Sequence, residues 1–251
     1  MKPTDNTPTP RKDLHIFYIL DTSKSMKEDG KIETLNAAMK ETLEALQSEA
    51  KKNADAKLHV AVMEFNSGAN WTTQHGPEAL EEDFIWTPLS TGGLTDLGAA
   101  LAELNTKLSK KTWLDSMTGA LMPILVFMTD GQPTDNYRKA LEQIQKNKWF
   151  LESTKIGFAI GEDADEHVIA EVVGNREAVI KTTDLDEFRK LLVFVSVRTS
   201  LLVSTSVIGE VPEAKKIIED ARKELGLDPV PVDEPQPESE TDSDEWDTDF
   251  G

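Results

Sequence analysis

The chain carries near its beginning the stretch Leu14-His15-Ile16-Phe17-Tyr18-Ile19-Leu20-Asp21-Thr22-Ser23-Lys24-Ser25. Its first seven residues are mostly apolar and favour β structure, which is typical of a buried strand. The next five residues place an acid and two serine hydroxyls directly after that strand. Open α/β sheets bind their ligands at the carboxyl ends of their strands. The stretch therefore predicts a strand over 14–20 with a ligand-binding loop at its end.

Two later stretches present oxygen-bearing residues in a similar setting. Thr95 lies in the loop Thr91-Gly92-Gly93-Leu94-Thr95-Asp96, and Asp130 follows the apolar run Ile124–Thr129. Three loops would thus deliver five residues to one place: Asp21, Ser23, Ser25, Thr95 and Asp130. All five offer hard oxygen ligands, which suit Mg²⁺, Mn²⁺ or Ca²⁺ rather than zinc. Two carboxylates only balance a divalent ion, so such a site leaves an electrophilic position for an external carboxylate.

The composition excludes several classes of protein. The 251 residues suffice for one large α/β domain, and the absence of cysteine excludes disulfides and thiolate metal sites. A formal net charge of -19 makes nucleic acids and anionic membranes poor partners. We see neither the apolar core of a signal peptide nor a membrane-spanning run, and we expect a soluble, cytoplasmic protein.

Strand-like and helix-like patterns alternate along the chain, which predicts a mainly parallel sheet covered by helices on both faces. The expected core strands are 14–20, 58–65, 123–128, 155–160 and 178–181, with short edge segments at 71–73 and 84–86. The expected helices are 31–50, 97–108, 136–146, 165–173 and one that starts near Glu187. The run 191–197 fits a strand by propensity, but we favour helix because it continues a helical start.

The domain organisation predicted from these patterns has four parts. A disordered lead covers residues 1–12, and the α/β domain covers 13–207. An amphipathic helix lies within 208–226, and a disordered acidic tail covers 227–251.

The three loops together resemble the von Willebrand factor A domain and its metal-ion-dependent adhesion site. The resemblance rests on the Asp-x-Ser-x-Ser run after a hydrophobic strand, the Gly-x-Thr loop and a later strand that ends in Thr-Asp-Gly. It covers roughly 14–207. The string Thr129-Asp130-Gly131-Gln132-Pro133-Thr134-Asp135 looks most like the bacterial tellurium-resistance-associated, TerY-like subgroup.

The resemblance implies a doubly wound, mainly parallel sheet with one short antiparallel edge strand. It implies that Ser23, Ser25 and Thr95 contact the metal, with Mg²⁺ the first candidate, and that Asp21 and Asp130 bind it directly or through water. The implied function is non-enzymatic capture of an Asp or Glu of a partner protein. The subgroup suggests a bacterial stress or tellurium-resistance setting with kinase-like or phosphatase-like partners.

The chain departs from the family pattern at two positions. Lys24 stands where glycine is usual between the two serines, and Leu94 stands where the second loop often has glycine. A lysine at position 24 would weaken metal binding by repulsion or strengthen capture of an anionic partner, and we therefore regard it as a candidate partner-binding residue.

Other polar residues have simpler interpretations. Asp135 is expected to cap the helix that follows it, and Asp163 and Asp165 are expected to serve as helix caps rather than calcium ligands. Asp96 is either a support for Thr95 or an exposed loop acid. His15 and His59 lie inside predicted strands and are interpreted as packed or edge residues.

The acidic tail allows two interpretations. Residues 228–251 contain ten acids and no Lys or Arg, which is typical of a solvating tail. Trp246 and Phe250 are unusual in such a tail and suit the alternative, a short docking motif that orders on binding. A sharper hypothesis is that a tail carboxylate occupies the open metal position.

Two other functions remain open on the sequence. A Mg²⁺-dependent phosphohydrolase would use a strand-end Asp as nucleophile, but the haloacid-dehalogenase type needs a second acid where this chain has Ser23. The chain also lacks a Gly-x-x-x-x-Gly-Lys phosphate loop and a cysteine nucleophile. The other alternative is a metal-free scaffold whose site Lys24 has disabled.

Overall fold

Seven strands form one sheet in the computed structural model, which describes residues 10–73, 75–80, 84–206 and 212–227. The strands are β1 Lys12–Asp21, β2 Ala56–Asn66, β3 Gly68–Trp71, β4 Glu78–Ala79, β5 Ile124–Thr129, β6 Thr154–Ile160 and β7 Val179–Thr182. The helices are α1 Lys31–Ala50, α2 Leu97–Lys107, α3 Tyr137–Ile144, α4 Lys148–Leu151, α5 Glu166–Val173, α6 Leu185–Thr205 and α7 Ala214–Leu225. Short 3₁₀ turns lie at Lys24–Gly30 and Arg176–Ala178.

The strand order is β3-β2-β1-β5-β6-β7, with β4 also paired to β2. The pairs from β2 through β7 along this order are parallel, whereas β3 and β4 run antiparallel to β2. The predicted fold class is therefore confirmed, and the antiparallel edge is divided between two short segments. Because β1 is central and has β2 and β5 as neighbours, its carboxyl end lies beside the ends of both.

The alternation of β1 side chains explains why both faces are covered. Leu14, Ile16, Tyr18 and Leu20 belong to one apolar cluster, which also holds the buried faces of α1, α6 and α7. Phe17 and Ile19 belong to the cluster on the other face, with the buried residues of α2, α3 and α5. Because both faces carry helices, almost no polar group of β1 reaches solvent except at its ends.

The predicted edge segment at 84–86 is wrong. The second antiparallel segment is Glu78–Ala79, and the chain from Phe84 to Ser90 has no regular structure. Phe84 and Trp86 are partly buried and pack against the cluster that contains α1. The edge of β2 is already paired with β3 and β4, so these aromatic side chains bury themselves by packing alone.

The carboxyl-terminal helices agree with the sequence prediction. The run 191–197 lies within α6, and the Asp184 side chain caps this helix by accepting from the backbone N–H groups of Asp186 and Glu187. Asp165 caps α5 in the same way through His167 N. Helix α7 buries Ile217, Ile218 and Ala221 in the main cluster. Arg222 Nη1 contacts Glu187 Oε1 at 3.0 Å and ties α7 to the start of α6.

No helix in the described part of the chain is long and apolar enough to cross a membrane. The first described strand includes Lys12, the last residue of the predicted lead. Nearly all of the predicted acidic tail lies outside the described residues.

Candidate metal centre

The loop after β1 folds back on the strand end through the Asp21 side chain. Asp21 is fully buried, and its Oδ1 accepts a hydrogen bond of 2.8 Å from Ser23 N. This turn brings the two serine hydroxyls together, so that Ser23 Oγ and Ser25 Oγ lie 3.0 Å apart. The Asp-x-Ser-x-Ser spacing therefore does what the sequence predicted: it directs an acid and two hydroxyls to one point.

The loop after β5 joins this cluster because β5 pairs directly with β1. Leu20 and Met128 are register partners, which sets Thr129 and Asp130 beside the first loop. Ser25 Oγ donates to Asp130 Oδ1 at 2.7 Å, and Thr129 Oγ1 donates to Asp21 Oδ2 at 2.5 Å. Hydrogen bonds thus link two loops that are more than a hundred residues apart in the chain.

The Thr95 loop is held against the other two loops through its backbone. Gly92 N donates to Thr22 O at 2.8 Å, which fixes it to the first loop. Thr95 N donates to Thr134 Oγ1 at 3.0 Å, and Thr134 N donates to Thr95 O at 2.9 Å, which fixes it to the third. Thr95 itself is buried. The five predicted metal ligands therefore lie at the end of β1 and in three loops that contact one another at the carboxyl edge of the sheet.

Asp96 and Asp135 support the Thr95 loop from behind. Asp96 Oδ2 accepts from Gly68 N at 3.0 Å, and its Oδ1 accepts from Thr134 Oγ1 at 3.1 Å. Asp96 is thus a support for Thr95 rather than a free loop acid.

The prediction that Asp135 caps the following helix is wrong. Its two carboxylate oxygens accept from Gly98 N and Ala99 N, at 2.9 and 3.0 Å, so it caps α2. Helix α3 begins after Asn136 with no side-chain cap. The physical reason is that parallel strand ends bring the third loop next to the start of α2, and its exposed N–H groups attract the carboxylate.

Sequence reasoning missed one residue of the site, Lys31. This first residue of α1 is buried, with 8% of its surface exposed, and its Nζ lies 2.8 Å from Asp130 Oδ2. Its position in the sequence held a signal, because a cation in the first turn of a helix is disfavoured by the helix dipole. Such a residue points to a tertiary partner.

The electrostatics of the cluster come from two buried acids and one buried cation. Burial raises the pKa of Asp21 to about 6, and the neighbouring Asp130 adds to the rise, while hydrogen bonds from Thr129 and Ser23 oppose it. Counted at formal charges, the cluster holds two carboxylates and the Lys31 ammonium. Its formal charge of about -1 leaves it attractive to a cation.

The donor set fits a hard divalent cation. It consists of two carboxylates and hydroxyl groups, which are ligands that Mg²⁺, Mn²⁺ and Ca²⁺ accept. Across the described ranges, no group of three or more His, Cys, Asp or Glu side chains is placed to hold a metal. A metal at this edge would therefore need ligands besides carboxylates and imidazoles, and the hydroxyls of Ser23, Ser25 and Thr95 are the predicted candidates.

The surface around the cluster is mixed in character. Lys24 is exposed in the first loop, and Leu94 is 57% exposed beside Thr95. A cation and an apolar side chain thus flank the candidate metal position. Trp246 and Phe250, the other predicted partner-binding residues, lie outside the described residues.

The family model described as von Willebrand factor type A domain matches residues 15–192. No curated protein matches the chain in sequence.

Among solved structures, one similar fold is proximal thread matrix protein 1 from the mussel byssus with a zinc-occupied metal-ion-dependent adhesion site motif. It is 16% identical with a TM-score of 0.57, over 74% of this chain and 48% of that one. Another is the ArnB paralog VWA2 from Sulfolobus acidocaldarius, at 16% identity and a TM-score of 0.53, over 74% and 45% of the two chains. A von Willebrand factor type A protein from Catenulispora acidiphila is 18% identical with a TM-score of 0.51, over 73% and 42%. The chain thus spans a little under half the length of these structures, and the likeness is one of fold.

Proposed function

Because the chain belongs to the von Willebrand factor type A family, we propose that it is a protein-binding module that captures an acidic side chain of a partner through a divalent cation. The cation would be held by Asp21, Ser23, Ser25, Thr95 and Asp130. The observation that carries this proposal is the hydrogen-bonded row from Ser23 Oγ through Ser25 Oγ to Asp130 Oδ1, at 3.0 and 2.7 Å. The side-by-side arrangement of these oxygen atoms from two loops supports a shared metal position.

A bound cation would supply an electrophilic position that a partner carboxylate can occupy. The chain's own residues account for the rest of the recognition. Asp21 and Asp130 provide two negative charges in a buried setting, which only balance a divalent cation, and the neutral hydroxyls add no further charge. Lys24 and Leu94 lie at the rim, where they suit a partner that has a second acid and an apolar residue near the captured carboxylate.

The finer features of the function belong to the same proposal. We favour Mg²⁺ as the cation because of the hard donor set, with Mn²⁺ or Ca²⁺ as substitutes. A relative's adhesion-site motif is occupied by zinc, which supports a divalent metal in general. We propose a cytoplasmic, bacterial setting of the tellurium-resistance or stress-response type, with a kinase-like or phosphatase-like partner, from the resemblance of the Thr129–Asp135 string.

We propose that the module is not an enzyme. A phosphohydrolase of the haloacid-dehalogenase type with Asp21 as nucleophile would need a second acid two residues later, and Ser23 stands there with its hydroxyl bonded to Ser25. Turnover of a generic phosphoester that disappears in Asp21→Asn would contradict this part of the proposal.

The first test measures metal-linked stability. At a Mg²⁺ or Mn²⁺ concentration of ~100 times Kd, the free energy of unfolding of the wild type should rise by about 2.7 kcal/mol. Asp21→Asn should abolish this gain, and the exposed matched control Asp163→Asn should retain it. A wild type with no metal-dependent gain would overturn the proposed metal site.

The second test concerns the partner. A protein retained by the immobilised wild type in Mg²⁺, released by EDTA and not retained by Asp21→Asn would support capture through the cation. Replacement of that protein's exposed Asp and Glu residues should then locate the captured carboxylate. A partner that the wild type and Asp21→Asn retain equally in EDTA would place recognition on another surface.

A further inference from the structure

Lys31 lies at the candidate metal centre in a position that costs free energy on its own. Lys31 is the first residue of the 20-residue helix α1, where the helix dipole disfavours a positive charge. The side chain is only 9% exposed, and a buried ammonium is costly unless it is paired. The Asp130 carboxylate lies 2.8 Å away, and this counter-charge offsets both the effect of the helix dipole and the cost of burial.

The backbone leaves room for this pair. Gly161, the residue after β6, has a φ of +96°, and a Cβ there would lie 3.2 Å from Lys31 Cε and 3.4 Å from its Nζ. Glycine thus allows the Lys31 side chain to lie across the strand end and reach Asp130. The Lys31 side chain is therefore packed against the protein rather than extended into solvent.

The contacts with Ser25 and Lys31 use part of the ligand capacity of Asp130. Its Oδ1 accepts from Ser25, and its Oδ2 accepts from Lys31. A divalent cation at either oxygen would displace one of these donors or lie within a few ångströms of the ammonium. Like charges at that separation repel strongly in a buried site, where water screens little.

We infer that Lys31 is a built-in counter-cation that competes with the divalent metal for Asp130. It keeps the two buried acids compatible with a folded, metal-free domain, and it lowers the affinity of the site for metal. This inference rests on the proposed metal site and adds a residue that sets its affinity. The module would therefore bind metal more weakly than its oxygen ligands alone would allow.

The experiment compares metal binding in three proteins: the wild type, Lys31→Met and Lys40→Met. Lys40 lies on the same helix with its side chain 66% exposed, so it controls for the loss of one charge and one long side chain from α1. Calorimetric titration with Mg²⁺ and with Mn²⁺ at pH 7.5 should give a Kd for Lys31→Met at least tenfold lower than that of the wild type. Lys40→Met should match the wild type.

A second variant keeps the test decisive if Lys31→Met does not fold without metal. Lys31→Gln removes the charge and retains an amide that can donate to Asp130, and it should also bind metal at least tenfold more tightly. In EDTA, both variants should unfold at lower urea concentration than Lys40→Met, because Asp130 has lost its counter-charge.

The outcomes separate this inference from the proposed function. Equal affinity in the wild type and both Lys31 variants would overturn the inference and leave the metal site intact. Binding by the Lys31 variants alone would support the inference and overturn metal-dependent capture by the wild type. Failure of every protein to bind either metal would overturn both.

Discussion

The two ends of β1 carry two charged clusters that differ in how they are built. At the amino end, Asp13 Oδ1 lies 3.1 Å from His59 Nε2, and His15 stacks on His59 with ring centroids 5.1 Å apart. These side chains come from two adjacent strands in register, since His15 is paired with His59. At the carboxyl end, Asp130 and Lys31 come from segments that are 99 residues apart.

The difference shows why only one end is suited to a ligand. Parallel strands send their connecting loops out at the carboxyl edge, where several loops converge and each adds an oxygen ligand. At the amino end, neighbouring strands place an acid and two imidazoles side by side, and the segment before β5 adds backbone hydrogen bonds between Asp13 and both Gly119 and Leu121. Burial differs as well: the side chains of Lys31 and Asp130 are 9% and 0% exposed, those of His59 and Asp13 21% and 17%. Disruption of the carboxyl end should therefore cost more.

The largest expected effect is at Asp130. Asp130→Asn should lower the free energy of unfolding in EDTA by about 3–5 kcal/mol, because it leaves the Lys31 ammonium buried without a counter-charge. Urea denaturation would measure the loss. The double variant Asp130→Asn/Lys31→Met should recover much of it, since no unpaired charge remains. A loss below about 1 kcal/mol for Asp130→Asn would show that the pair is not a strong structural contact.

The next effect concerns pH and the amino end. Burial, and then the neighbouring His59, lower the pKa of His15 to about 4 despite the opposing effect of Asp13. Between pH 6.5 and 4, His15 binds a proton in the unfolded chain but stays neutral in the folded protein. The free energy of unfolding therefore falls as the pH falls through this window. The full loss attributable to His15 is about 3 kcal/mol.

Urea denaturation between pH 7 and pH 4.5 would check this prediction. His15→Phe should lose less stability on acidification than the wild type, and the exposed control His167→Gln should behave like the wild type. Identical pH profiles for His15→Phe and the wild type would assign the acid sensitivity to other groups.

A smaller effect is expected where the Thr95 loop is supported. Asp135→Ala should cost about 1–2 kcal/mol, because it removes the acceptors of two N–H groups at the start of α2. It should also weaken Mg²⁺ binding severalfold, as the loop that holds Thr95 loses its anchor. The matched cap variant Asp165→Ala, at the start of α5, should leave the Mg²⁺ affinity unchanged. Equal Mg²⁺ affinity in both variants would separate the cap from the metal centre.

The smallest effect is expected at Asp13. Asp13→Asn should change the free energy of unfolding by less than about 1 kcal/mol at pH 7.5, because its contact with His59 is partly exposed. Its metal affinity should equal that of the wild type. A cost comparable to that of Asp130→Asn would remove the distinction between the two ends of β1.

The sequence predicts the fold well because the relevant signals are local. The nearly continuous apolar run of β1 and the three/four spacing of apolar residues in α1 are local patterns, and both elements appear where they were predicted. The convergence of Ser23, Ser25 and Asp130 follows too, because parallel topology places strand ends together. The sequence does not predict which hydrogen-bond partners a side chain takes from segments that are distant in the chain. Asp135 has two helix starts within reach, and no local pattern indicates that it caps α2.

The role of Lys31 and the conformation of residues 84–86 escaped prediction for a related reason. From the local sequence alone, Lys31 is interpreted as a solvated charge. Its burial depends on Asp130 after β5 and on the space over Gly161 after β6, which are distant in the sequence. The aromatic residues Phe84 and Trp86 have strand propensity, but the edge of β2 is occupied by β3 and β4. In both cases tertiary competition decides the outcome, which propensity does not measure.

The large separation of the site residues has a consequence for synthesis of the chain. Ser25 and Asp130 are 105 residues apart, so at ribosomal rates of ~5–20 residues per second the first loop waits roughly 5–20 s for its partner. Over that interval the nascent chain holds Asp21 and both serines, yet it has no third loop to complete a cage of oxygens. At the proposed metal site, tight occupancy by a cation would thereby be deferred until β5 has left the ribosome and paired with β1, and metal loading would be a late step in maturation.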